Sequence, residues 1–121
     1  MNEIIGMDVN SFKQLISEKE GCLLIKFSAE WCGPCKKIAP YIEKKINEIK
    51  NKKLEYINID IDENCDIYIF LKRKKLVTKL PTFLLYKASN RIIDEEEFYI
   101  PDYSVIGTDE KELDIMFKYI E

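Results

Sequence analysis

The segment Leu23-Leu-Ile-Lys-Phe-Ser-Ala29 constrains the fold more than any other: it is nearly continuously apolar, too short for a core helix, preceded by Gly21-Cys22 and followed by Glu30. A strand that is apolar on both sides must be covered on both sides, as a central strand of a helix-flanked sheet is. Lys26 is its one charged residue. Directly after it comes Trp31-Cys-Gly-Pro-Cys-Lys36, and Ile38, Tyr41, Ile42, Ile46 and Ile49 then recur at helical spacing. Pro34 suits the first turn of that helix, where its missing N–H costs nothing, and Pro40 predicts a kink inside it. Two cysteines therefore stand where a buried strand gives way to a helix N-terminus.

The remaining periodicity supplies the other elements. Ser11-x-x-Gln14 has the form of a capping box and opens a helix to about Glu18, with Phe12, Leu15 and Ile16 on one face and Gly21 beyond its end. Tyr56 to Asp62, alternating from Ile57 onward, reads as a strand, and Asp62 or Asn64 caps a helix running to about Lys75. Leu80 to Tyr86 reads as a strand with Pro81 at its entrance, because proline cannot donate to a ladder. The stretch from Ile92 to Ile106 holds three short strand candidates, Ile92-Ile93, Phe98 to Ile100 and Val105-Ile106. Leu113, Met116, Phe117 and Ile120 form a closing amphipathic helix capped by Thr108 or Asp109. The order α-β-α-β-α-β-β-α predicts an α/β fold, a mixed sheet with helices on both faces, and 121 residues make one domain, 1–121.

Composition removes several kinds of chemistry. The chain has no histidine, so triads, Cys-His pairs and histidine metal sites are excluded. Its 19 basic and 22 acidic residues leave a net charge of -3, which favours neither nucleic acid nor an anionic membrane. The N-terminus has no basic and apolar leader pattern, and no apolar run approaches the roughly 18 residues of a membrane span. This predicts a soluble, untargeted, cytoplasmic protein. Cysteines there are usually reduced, so a close pair points to redox chemistry or a metal rather than a structural staple.

Of the four cysteines, Cys32 and Cys35 form the close pair, while Cys22 and Cys65 stand alone. Unpaired N–H groups and the positive dipole end of a helix stabilise an anion, so Cys32 is the candidate nucleophile. Cys35, one turn further in, can close a disulfide with it and release a mixed disulfide by internal attack. A bare C-x-x-C can also be half of a zinc site, with Cys22 and Cys65 as further ligands, although structural zinc sites usually come as two close pairs. Cys22 reads as a small core residue and Cys65 as buried or inert.

The string Trp31-Cys-Gly-Pro-Cys-Lys36, preceded by Lys26-Phe-Ser-Ala-Glu30, followed by Pro40 and later by Leu80-Pro81-Thr82, resembles the thioredoxin family. The likeness runs from about Ser11 through Tyr86. It implies a thioredoxin fold, three layers α/β/α around a central mixed sheet of four to five strands, and an oxidoreductase that reduces protein disulfides through Cys32-Gly33-Pro34-Cys35. It further implies that Pro81 is cis and lies beside the Cys32 sulfur. Trp31, Leu80, Pro81, Ile106 and Gly107 then form the substrate-docking surface, Gly33 and Pro34 set the turn into the helix, and Asp60 matches an aspartate of the family. By the same resemblance the protein is a monomer with no bound cofactor or metal, acting in electron transport and cell redox homeostasis. Its electrons come from a separate thioredoxin reductase using NADPH and FAD. A thioredoxin-fold binding or assembly subunit is the alternative.

Two departures from the family stand out. Lys26 occupies the position of a buried aspartate, and the lysine that often accompanies that aspartate would fall near Tyr56. Lys26 either lays its stem on apolar surface with its amine in water or on Glu30, or brings a desolvated ammonium to Cys35 and favours its thiolate. Two segments, around 68–78 and 88–105, are also lengthened. The first carries Lys72-Arg-Lys-Lys75 and the second Asp94-Glu-Glu-Glu97 with Phe98, Tyr99, Ile100 and Tyr103. They are expected as a solvated helix end and a longer hairpin, or as segments that attract each other or a partner.

Overall fold

The computed structural model describes residues 3–49, 53–88 and 96–120. In chain order these form α1 (Val9–Ser17), β1 (Cys22–Ser28), α2 (Gly33–Glu48), β2 (Leu54–Asp60), α3 (Cys65–Arg73), β3 (Thr82–Lys87), β4 (Tyr103–Ile106) and α4 (Glu110–Ile120). The strands make one mixed sheet ordered β2-β1-β3-β4, in which β1 runs parallel to β2 and antiparallel to β3, and β3 runs antiparallel to β4. This is the α/β/α architecture and element order expected.

Every residue of β1 is buried, as its composition required. Because strand side chains alternate, Leu23, Ile25 and Phe27 face one helix layer, packing with Phe12 and Ile16 of α1 and Ile67 and Leu71 of α3. Cys22 and Leu24 face the other, with Ile38 and Ile42 of α2 and Leu113, Met116 and Phe117 of α4. Lys26 belongs by the same alternation to the face under α2. At the start of β1 a Cβ on Gly21 would collide with the Lys53 carbonyl, where the Cys22 N–H donates to that oxygen at 3.0 Å.

Several local readings change. The first helix begins two residues before Ser11, because the Asp8 carboxylate accepts the Ser11 amide at 2.8 Å and caps the helix in place of a Ser11 capping box. Asn64 precedes α3 but makes no side-chain cap bond. Its buried amide instead accepts from the Met7 N–H and donates to the Ile4 and Asp60 carbonyls, tying the N-terminal segment to the end of β2. The third helix ends at Arg73, and Lys75 beyond it has a left-handed φ of 63°. Asp109, not Thr108, accepts the Lys111 amide at the start of α4.

Of the three strand candidates between Ile92 and Ile106, the last is β4 and Phe98 to Ile100 is a turn, while Ile92-Ile93 lies outside the described residues. That turn is not a solvated hairpin. Phe98 is buried and stacks on Phe70 of α3, Tyr99 meets the same ring edge-on, and the Tyr86 hydroxyl donates to the Tyr99 carbonyl at 2.8 Å. Lys74, from the basic segment, lies over the rings of Phe70 and Tyr99. The two lengthened segments thus meet through a cation on aromatic faces.

Candidate active site

Four chain segments converge at one end of the sheet because of strand direction. Ser28 ends β1, and its carbonyl accepts the Ile61 N–H just after β2. Thr82 opens the antiparallel β3 opposite Phe27, and Ile106 ends β4 opposite Thr82. The loop from Ala29 to Cys32, the Leu80-Pro81 bond and the Ile106-Gly107 turn are therefore neighbours through the register. The Leu80-Pro81 peptide is cis, and the Pro81 carbonyl accepts the Gly107 N–H at 2.8 Å, where Gly107 takes a φ of 103°.

Cys32 is the N-cap of α2, its Sγ accepting the Cys35 N–H at 3.2 Å. A sulfur in that place already receives one of the helix's unpaired amides, the arrangement that favours a thiolate. Cys32 and Cys35 are joined by a disulfide, with Cα atoms 5.3 Å apart. Both are nearly buried, Cys32 retaining the larger exposure, 5% against 2%.

The thioredoxin family model matches residues 3–99. The chain belongs to the thioredoxin family. It is 36% identical to thioredoxin 1 of Plasmodium falciparum over 81 residues, covering 67% of this chain and 71% of that protein. It is 36% identical to a Pseudomonas aeruginosa thioredoxin over 87 residues, covering 72% and 76% respectively. Among solved structures, a P. falciparum thioredoxin superposes with a TM-score of 0.68 at 27% identity, covering 97% of this chain and 98% of that one. With the cysteine pair bonded at the helix N-terminus, membership makes the chain a thiol–disulfide oxidoreductase.

Around this thioredoxin disulfide, Trp31 is 69% exposed, and its indole N–H donates to the Asp62 carboxylate at 2.8 Å. Asp60 holds the turn beneath, accepting the Asp62 and Glu63 amides. Asp62 thus orients the tryptophan instead of capping α3, a role with no local signal in the sequence because its partner is 31 residues away. Gly33 and Pro34 occupy the first turn of α2, and a Cβ on Gly33 would meet nothing within 4 Å, so packing does not demand glycine there. Lys36 is exposed, Leu80 half-buried and Pro81 buried, while Ile106 is open to solvent.

Lys26 neither reaches water nor pairs with Glu30. It is 5% exposed, and Nζ donates to the Cys35 carbonyl at 3.0 Å. Burial pulls its pKa down, and the Glu43 carboxylate opposes that pull. Tyr56, on the same face, is pushed up to about 12 by burial, with Glu43 adding to the effect. Glu43 escaped sequence reasoning because it lies on the exposed side of α2, although Cys35, Ala39 and Glu43 share an i, i+4, i+8 stripe.

Cys22 is buried at the far end of β1 from Cys32, and burial pushes its thiol up, against a smaller lowering by Lys87. Cys65 is exposed rather than buried, its Sγ 3.5 Å from the Asp62 carbonyl. Among the described residues no three His, Cys, Asp or Glu side chains gather as a metal cluster, and no helix is long and apolar enough to cross a membrane.

Proposed function

We propose that the protein works in the reducing direction, passing electrons to disulfides of other proteins. The observation that carries this is the Cys32 sulfur capping α2 while bonded to Cys35. In the reduced form the Cys32 thiolate attacks a target disulfide, forming a Cys32–target bond and expelling one target sulfur as a thiolate that takes up a proton. The Cys35 thiolate then attacks Cys32, forming the internal disulfide and expelling the second target sulfur. The target gains two electrons and two protons, and the cysteine pair loses them.

Trp31, Leu80, Pro81, Ile106 and Gly107 form the docking groove for the target, a role supported by their convergence at the sheet end that holds Cys32. A thioredoxin reductase drawing on NADPH and FAD returns the electrons, and no cofactor is held by this chain. The unpaired Cys22 and Cys65 fit a reducing, cytoplasmic setting, where the protein serves electron transport and redox homeostasis as a monomer of one domain.

Titration of the disulfide against glutathione buffers tests the direction. A reduction potential near the family's known value of about -270 mV supports it, and one of about -120 to -180 mV, typical of oxidases and isomerases, overturns it. Cys32→Ser should abolish insulin reduction, and Cys35→Ser should accumulate a mixed disulfide on Cys32. Cysteine variants that keep full biological activity would instead mark a binding subunit.

A further inference from the structure

We infer that Lys26 is a positioning residue for the resolving step, its buried ammonium anchored on the Cys35 carbonyl and favouring the Cys35 thiolate by charge. The inference rests on the reading of Cys35 as the resolving thiol. Nζ lies 3.0 Å from that carbonyl oxygen, and the sulfur of the same residue is only a few bonds away. The carbonyl belongs to the first turn of the 16-residue helix α2, where a regular helix supplies backbone carbonyls with amide donors. What Lys26 adds is charge rather than a missing backbone partner.

The surroundings keep that charge positive and nearest to Cys35. From α2 come Cys35 itself and Glu43, and Glu43 lies eight residues further on, about 12 Å along the axis at the helical rise. Glu43 favours the protonated amine, and its place two turns beyond Cys35 leaves the Lys26 ammonium as the charge that directly contacts Cys35. From β2 come Tyr56, which burial keeps neutral, and uncharged Asn58, the strand partner of Lys26. Phe83 of β3 is the partner on the other side, and α4 contributes apolar Leu113, Met116 and Phe117 to the same layer. Asp60, at the end of β2 and on the same face by alternation, accepts the Asp62 and Glu63 amides, and among the described residues no carboxylate bonds the amine or Cys35. In the proposed step water takes the Cys35 proton, the remaining sulfur electron pair, steadied by Lys26, forms the bond to Cys32, and the Cys32–target bond breaks.

An opposite charge within roughly 4–6 Å lowers a pKa by about 1–3 units. Lys26→Met should accordingly raise the Cys35 pKa by about one unit or more, and Lys26→Asp should raise it further. Below both pKa values one unit removes about nine-tenths of the thiolate, but the more basic sulfur is about threefold more nucleophilic, so release of a mixed disulfide slows only about threefold. Above both values the Met variant should become the faster, a crossing of pH profiles that a merely structural lysine would not produce. In the unmutated protein, the Lys26 amine followed by carbon-13 NMR at Cε should titrate at higher pH in the reduced form at alkaline pH than in the disulfide form, since coupling is reciprocal. An unmoved or lowered Cys35 pKa in Lys26→Met, or an identical Lys26 titration in the two redox forms, overturns the inference. Failure of the resolving role itself would show differently, as a Cys35→Ser variant that turns over normally, and both titrations are read without any partner protein.

Discussion

Phe98→Ala decides whether the lengthened second segment belongs to the core. Phe98 is 3% exposed, its ring lies 6.3 Å from that of Phe70 at 15°, it meets Tyr99 edge-on at 5.6 Å, and Lys13 stands 5.5 Å from its centroid. Truncating a phenylalanine packed in this way costs about 3–5 kcal/mol, whereas a change in a solvated hairpin stays within about 0.5 kcal/mol. Phe98 lies in a turn that can partly collapse into the space left behind, so the lower value, about 3 kcal/mol, is expected. At about 4 °C per kcal/mol for a chain of this size, Tm should fall by about 12 °C. Urea unfolding of the oxidised protein, followed by circular dichroism, measures the loss as a shift in midpoint at unchanged slope. Phe98→Leu should recover most of it by refilling the volume. A loss for Phe98→Ala below about 1 kcal/mol would refute the packing account and return the segment to a solvated loop.

Three further outcomes follow from the same structure. Gly21→Ala should cost about 1–3 kcal/mol in denaturant unfolding, because the new methyl displaces the Lys53 carbonyl that receives the Cys22 amide. In the oxidised native protein iodoacetamide should label Cys65 readily and Cys22 only after unfolding, since Cys22 is buried and its thiol is pushed up by that burial; equal labelling rates, followed by mass spectrometry, would contradict the burial. Lys26→Met should stabilise the fold by about 1 kcal/mol at pH 7 by removing a buried charge. A lysine whose folded pKa lies below its unfolded value costs stability at all pH values under the folded pKa and ceases to do so as pH rises to the unfolded one. The gain should therefore be complete at neutral pH and fade toward about pH 10.5, as thermal melts across pH will register.

What could be read in the sequence was whatever local periodicity or a contiguous motif specifies. The unbroken apolar run of β1 demands cover on both faces, and it received both helix layers. Trp31 to Lys36 carries the disulfide within four residues, and its helix start needs no distant partner. Readings failed where a side chain answers to a remote one. Asn64 looks like a cap because caps are local, but it is claimed by the carbonyls of Ile4 and Asp60 and by the Met7 amide. Phe98 to Ile100 has strand-like composition, yet Phe70 and Tyr86 pull it into a packed turn. Ser11 lost to Asp8 for a different reason: both are good caps, and the choice depends on where the preceding chain turns.

The alternation of β1 also separates what stabilises this fold from what tunes its chemistry. Phe27 and its neighbours of like parity face α1 and α3, the layer into which Phe98 packs. Lys26 lies one residue away on the opposite face, under α2, with its amine on Cys35. Phe98 is held by Phe70, Tyr99 and Lys13, none of which bonds the Lys26 amine or Cys35 among the described residues. Effects at independent sites add within about 0.3–0.5 kcal/mol. The double variant Phe98→Ala/Lys26→Met should thus show the sum of the two stability changes, close to a net loss of about 2 kcal/mol from the values above. Phe98→Ala alone should leave the potential of the Cys32–Cys35 pair where it was, although it costs most in stability. A potential that moves with Phe98→Ala would mean that the packed turn reaches the disulfide through α3 and the sheet, and that the two faces of β1 are not energetically separate.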